Sequence, residues 1–239
     1  MAQTTPRVIG FDGDDTLWHN ETIFSMTQAR FRELLLRHAP EADVDARLLA
    51  TERRNLAAFG YGIKGFMLSM VETAIDVTEG RIPARDISTI LDFGRAMLLH
   101  PVELLDGARP TLEALAERYE LMLVTKGDLF DQESKIARSG LAPLFSRVEI
   151  LSEKDEASYR RLLARHGVAP EEFVMVGNSM RSDVLPPVAL GARAVHIPYH
   201  VTWALEHADA PAHAADRMWT LAAIGELPAL VTAWTEGRR

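Results

Sequence analysis

The stretch VIGFDGDDT, residues 8–16, is an apolar run that ends in three aspartates and a threonine. Val8, Ile9 and Phe11 carry the branched or aromatic side chains that favour a buried strand, and the polarity changes abruptly at Asp12. Carboxylates packed this densely repel one another unless a cation sits among them. In isolation, Asp12, Asp14 and Asp15 would also suit a turn or a calcium loop. The EF-hand form of that loop is excluded, because Leu17 stands where its turn needs Gly. What surrounds the stretch therefore decides its meaning.

Further along, short β-rich runs recur as LMLV (121–124), VEIL (148–151), FVMV (173–176) and AVHI (194–197). Between them lie helical patterns at 110–119, 130–139 and 158–166, with Gly140, Gly167 and Gly191 where helix ends are expected. Strand and helix in alternation predict an α/β fold, a Rossmann-like doubly wound parallel sheet. Residues 21–100 break the alternation, offering periodic helical segments and no convincing strand. This is read as a helical insert, with Leu34, Leu35, Leu48, Leu49, Leu56, Phe59, Met67 and Met70 as its apolar faces. The expected division is a core of residues 1–17 and 104–239 and an α-helical domain of residues 18–103.

The chain has 239 residues, of which 47% are hydrophobic, enough for a core larger than a domain of about 100–150 residues needs. A formal charge of -8 argues against generic affinity for nucleic acid or anionic membranes, which takes clustered Lys and Arg. With no cysteine there are no disulfides, thiolate nucleophiles or Cys-ligated zinc and iron–sulfur clusters. No apolar run approaches the roughly 20 residues that span a bilayer. The first apolar run is also too short for an export signal, so a cytoplasmic location is expected.

In an open parallel sheet, ligands bind beyond the carboxyl ends of the strands. Reading only those positions yields Asp12, Asp14 and Thr16, then Thr125, Lys126 and Gly127, then Lys154, then Gly177, Asn178, Ser179 and Asp183. Mg²⁺ prefers a few hard oxygen ligands plus water and substrate phosphate, which Asp12 and Asp183 would supply. A small hydroxyl beside backbone N–H groups, as at Thr125, Lys126 and Gly127, can hold phosphate oxygens, and Lys154 adds a compact positive charge. Asp12 suits a carboxylate nucleophile that passes through an aspartyl-phosphate. Asp14, two residues on, suits the acid that protonates the leaving oxygen and then activates water.

At this point the chain resembles the haloacid dehalogenase-like superfamily, whose first motif is an apolar strand followed by D-x-D-x-T. The resemblance continues in order through Thr125, Lys154 and GNSMRSD (177–183), and so covers nearly the whole core. The helical insert lies where one branch of the superfamily carries an α-helical cap. The resemblance implies that Asp14 also offers the metal its backbone carbonyl, and that Lys154 steadies both Asp12 and the transferred phosphoryl group. Three positions depart from the pattern: Asp15 replaces a common Gly, Lys126 a common Asn, and Asn178 an acidic residue, leaving the metal to lean on Asp183 with Asn178 beside it. Dehalogenases of the superfamily typically lack the second aspartate, so Asp14 points to phosphate chemistry.

Residues 60–65, GYGIKG, match G-x-G-x-x-G, but a dinucleotide site needs that pattern directly after a strand, and here a helical segment precedes it. A turn between two helices is expected instead, with Tyr61 and Lys64 as candidates for substrate contact. Trp18 and His19, just after the acidic loop, are further candidates. The expected activity is Mg²⁺-dependent hydrolysis of small phosphate monoesters, such as sugar phosphates or nucleoside monophosphates, in an active site between core and cap. A phosphomutase on the same scaffold and a non-catalytic metal-binding protein are the alternatives. The expected partner is a small phosphorylated metabolite, with no nucleic acid or membrane, and oligomeric state is not legible.

Overall fold

A computed structural model describes residues 5–209 and 216–236. The strands are β1 (Val8–Phe11), β2 (Glu120–Lys126), β3 (Arg147–Leu151), β4 (Phe173–Gly177), β5 (Arg193–His196) and β6 (Met218–Thr220). They form one parallel sheet in the order β3-β2-β1-β4-β5-β6. The helices are α1 (Glu21–Leu36), α2 (Val44–Phe59), α3 (Ile63–Val77), α4 (Ala84–Leu99), α5 (Ala108–Ala116), α6 (Leu129–Ser139), α7 (Glu156–His166), α8 (Leu185–Ala189) and α9 (Leu227–Thr235). The chain is a doubly wound α/β fold. It builds outward from β1 first to one side and then to the other, so the order reverses between β1 and β4, where such sheets open a crevice at their carboxyl ends.

Side chains alternate across a strand, and both faces of the central strands β1, β2 and β4 are covered, so their inner residues need apolar partners on each side. Ile9, Phe11, Leu121, Leu123, Val174 and Val176 pack on one side with Leu112 and Leu115 of α5 and Leu227 and Val231 of α9. Val8, Met122, Val124, Phe173 and Met175 pack on the other with Tyr159, Leu162 and Leu163 of α7. That two-sided demand explains why the runs read as continuously apolar.

Two details differ from the sequence reading. The second strand runs through Thr125 and Lys126, which were expected beyond its end, because pairing of Thr125 with Ile150 and of Lys126 with Leu151 extends the ladder. A sixth strand, β6, has only three residues and was not anticipated; it pairs with β5 at the sheet edge.

The described chain divides into two compact units. The first holds the sheet and comprises residues up to His19, Val102–Lys126 and everything from Lys135 on. The second is Asn20–Pro101 with Gly127–Ser134. Within it, α1 to α4 enclose a core of Phe31, Leu34, Leu35, Val44, Leu48, Ile63, Phe66, Met70, Ala74, Ile90, Phe93 and Met97. Met67 packs against that core. Phe59, expected on an apolar face, is instead 51% exposed, because it is the last residue of α2 and its turn has left the buried stripe. The glycine-rich stretch is the turn expected there: Gly60 ends α2 and Gly62 opens α3. Among the described residues, no helix is long and apolar enough to cross a membrane.

Candidate active site

The first unit gathers the acidic loop after β1 with residues from β2, from the segment after β3 and from the turn after β4. The Asp12 N–H donates to the carbonyl of Val176 at 2.9 Å, carrying the β1–β4 ladder one step past the strand. The loop then folds back on itself, with the N–H groups of Thr16, Leu17 and Trp18 all directed at the Gly13 carbonyl at 2.8–3.3 Å. Trp18 lies flat against Gly13, where a Cβ would come 2.5 Å from the indole. The turn is closed by the Asp15 N–H donating to the Trp18 carbonyl at 2.7 Å. Asp15 sits at φ +60°, a left-handed conformation that Gly, Asn and Asp tolerate best, which accounts for the glycine usual at this position.

At the centre lies a buried triad of charges. Lys154 Nζ donates to Asp12 Oδ1 at 2.5 Å and to Asp183 Oδ1 at 2.7 Å, and all three residues are at most 6% exposed. Asp183 comes from a π-helical turn, Met180–Val184, and its second oxygen accepts from the Ser179 N–H at 3.0 Å. Gly177 makes this possible: a Cβ there would fall 2.3 Å from the Asp183 carboxyl. Thr16 Oγ1 donates to Asp12 Oδ2 at 3.3 Å and lies 3.4 Å from Asn178 Oδ1.

Two carboxylates against one ammonium leave a negative charge in a buried space, and the ionisation equilibria reflect it. Burial drives the Asp12 carboxyl up to about 7; Lys154 opposes the rise, and the Asp183 and Asp14 charges add to it. Burial alone would lower the Lys154 ammonium, but the two carboxylates more than reverse that and hold it above its usual value. The imbalance is what a cation would relieve. Among the described residues no group of three or more His, Cys, Asp or Glu forms a metal cluster. Mg²⁺ does not need one: it binds through one or two carboxylates and completes its shell with water and phosphate. The pair Asp12 and Asp183 fits that demand, with Asn178 and the Asp14 backbone carbonyl as neutral oxygen donors in the same segments.

Asp14 is held apart from this triad. Its Oδ1 accepts from Trp18 Nε1 at 2.6 Å, and Lys135 Nζ lies 2.9 Å from both of its oxygens. Thr125 is buried near the end of β2. Lys126, expected with its neighbours to hold phosphate oxygens, has its side chain committed within the protein: its Nζ donates to Glu206 at 2.6 Å, to Ser182 Oγ at 2.9 Å and to Glu153 at 3.4 Å. Gly127 follows with φ +133°. Trp18, a candidate for substrate contact, is 1% exposed and packs in the sheet core. His19 Nδ1 lies 2.6 Å from the Tyr199 hydroxyl. Tyr61 and Lys64 belong to the second unit, where Lys64 pairs with Asp128 at 2.9 Å.

The sequence reading missed Lys135 and Glu206. Lysine at a helix position and glutamate in a loop are ordinarily solvated charges, so neither carried a signal. Only the structure shows that Asp131, Gln132 and Lys135 fall on one face of α6 and are all buried.

A family model described as a haloacid dehalogenase-like hydrolase matches residues 6–191. The chain belongs to the haloacid dehalogenase-like hydrolases. Among curated members of similar sequence is the glyceraldehyde 3-phosphate phosphatase of Pyrococcus furiosus, 25% identical over 202 residues, 81% of each chain. Among solved structures, a haloacid dehalogenase-like family hydrolase from Xanthomonas campestris is 45% identical, with a TM-score of 0.87 over 98% of this chain and 93% of that one. A 2-haloacid dehalogenase from Pseudomonas syringae shares the fold at 21% identity and a TM-score of 0.63, over 96% of this chain and 100% of that one.

Proposed function

We propose that this haloacid dehalogenase-like hydrolase is a phosphatase acting on small phosphate monoesters, with Asp12 as nucleophile, Asp14 as general acid and base, and Mg²⁺ bound by Asp12 and Asp183. The observation that carries this reading is the second carboxylate of the acidic loop, Asp14, two residues from the nucleophile, half-buried and held by two donors. Cleaving a carbon–halogen bond releases a halide, which needs no proton; releasing an alkoxide does. The name of the Pyrococcus furiosus relative agrees, whereas the likeness to the Pseudomonas syringae dehalogenase is one of fold.

In the first step an Asp12 carboxylate oxygen attacks phosphorus, the bond to the ester oxygen breaks, and that oxygen takes a proton from Asp14. In the second, Asp14 takes a proton from water, the water oxygen attacks the phosphorus of the aspartyl-phosphate, and inorganic phosphate leaves with Asp12 restored. Lys154 keeps Asp12 oriented and offsets charge on the transferring group. Thr125, Lys126 and Gly127 contribute a hydroxyl and backbone N–H groups for phosphate oxygens. Mg²⁺, when bound, neutralises the phosphate and the two carboxylates and so favours the ionised nucleophile.

The test is phosphate release from sugar phosphates, nucleoside monophosphates and p-nitrophenyl phosphate, with Mg²⁺ or with EDTA, for the wild type and Asp12→Asn. Release that requires both the metal and Asp12 is expected. Undiminished release by Asp12→Asn, or none from any ester by the wild type, would sink the reading.

A further inference from the structure

Asp14 can serve as a proton donor only if its carboxyl is aimed at the leaving oxygen, because proton transfer needs heavy atoms within about 2.6–3.2 Å. A loop aspartate with two free torsions would sample several directions, and misplacement by about 1 Å can cost a hundredfold in rate. Here the carboxyl is clamped from two independent elements. Trp18, pinned in the sheet core and bridged to Leu104, presents its indole N–H to Oδ1 at 2.6 Å. Lys135, projecting from α6, places its ammonium 2.9 Å from both oxygens. The Lys135 side chain is only 10% exposed and that of Asp14 21%. Immobilising a lysine side chain costs about 1.5–2 kcal/mol of rotamer entropy, and desolvating its charge costs more, so this placement needs a compensating interaction. Its ion pair with Asp14 is one such interaction.

We propose that Lys135 is a positioning residue for the reaction: with Trp18, it holds the Asp14 carboxyl in the orientation from which the leaving group is protonated. The inference rests on the phosphatase reading. It assigns Lys135 no contact with substrate, and so it differs from Lys154, whose charge meets the nucleophile itself.

The experiment compares steady-state kinetics of the wild type, Lys135→Met, Lys135→Arg and Trp18→Phe on two substrates in Mg²⁺. One is p-nitrophenyl phosphate, whose leaving group departs with little need of a proton; the other is glycerol phosphate, an alkyl ester that needs one. Lys135→Met keeps the length of the side chain and removes its charge. Its kcat/KM, which covers the steps up to departure of the leaving group and leaves out the aspartyl-phosphate hydrolysis common to both esters, is expected to fall at least about a hundredfold on the alkyl ester, the scale of lost general acid catalysis, against less than about threefold on the aryl ester. Lys135→Arg should recover most of the loss, and Trp18→Phe, which keeps a ring and drops the N–H donor, should repeat the leaving-group pattern more weakly. Melting curves accompany each variant, and if Lys135→Met does not fold, the other two carry the comparison. Equal losses on both esters, or no change in a folded variant, overturns the proposal while leaving the phosphatase reading in place. A wild type inactive on both esters removes the phosphatase reading, and the role of Lys135 with it.

Discussion

Asp15 shows how one residue can depart from a family pattern without disturbing the chemistry beside it. Its φ of +60° lies where a Cβ is crowded, and aspartate is among the few non-glycine residues that occupy the region at small cost. A β-branched side chain there costs about 1–2 kcal/mol in backbone strain. Asp15→Asn should therefore melt near the wild-type temperature, whereas Asp15→Val should melt several degrees lower, as followed by circular dichroism. Equal melting temperatures would mean that the loop does not hold this conformation. Asp12, Asp14, Lys154 and Asp183 were legible as candidates, because each follows an apolar run at a strand end. The partner of the Lys126 side chain was not legible: nothing local foretold that Glu206, 80 positions later, would take its charge.

At the scale of elements, the site depends on how closely β4 meets the turn that follows it. Gly177 ends β4, and the Asp183 carboxyl occupies the space its Cβ would need, with atoms at 2.3–2.5 Å. Neither backbone can yield easily, since Gly177 is paired with His196 in the sheet and Asp183 is fixed by Lys154 and the Ser179 N–H. Gly177→Ala should displace Asp183, lower turnover at least about tenfold and raise the Mg²⁺ concentration needed for half-activity, on the precedent that small displacements in a preorganised site are costly. A Mg²⁺ titration of activity checks this, and an unchanged midpoint would separate Asp183 from the metal. The strands themselves were legible from their apolar runs. The short edge strand β6 and the extension of β2 were not, because both exist through pairing with a neighbour rather than through a pattern of their own.

At the scale of the whole molecule, Glu206 ties the segment after β5 to the carboxyl ends of β2 and β4. Its carboxylate accepts from Lys126 Nζ at 2.6 Å, Ser179 Oγ at 2.5 Å and Ser182 Oγ at 2.6 Å. Burial alone would raise this carboxyl, but the Lys126 charge and the hydrogen bonds outweigh it and hold it below its ordinary value. A carboxyl lowered on folding adds stability that is fully present above its unfolded value and is lost as pH falls through the folded one. Glu206→Gln should therefore cost about 1.5–3 kcal/mol at pH 7, the range for hydrogen bonds to charged groups, and the difference from wild type should close as pH falls below about 4. Urea unfolding of both proteins between pH 7 and pH 3 measures it. Asp12 has the opposite sign, since a carboxyl raised to about 7 by burial weakens the metal-free fold above its unfolded value. That contribution is common to both proteins and cancels in the comparison. A difference that stayed constant with pH would show that Glu206 acts through packing rather than charge.

The sequence by itself determined the parallel α/β sheet, the helical stretch between β1 and β2, and the ordered set Asp12, Asp14, Thr125, Lys154 and Asp183. Those are properties of periodicity and of residues that follow strands, and both are written locally. Only the tertiary structure decided which charges meet: Lys154 with both Asp12 and Asp183, Lys135 and Trp18 with Asp14, and Glu206 with Lys126. The physical reason is that a charged side chain carries no local sign of burial. Whether it faces solvent or a partner 121 residues away, as Lys135 faces Asp14, is settled when the chain packs.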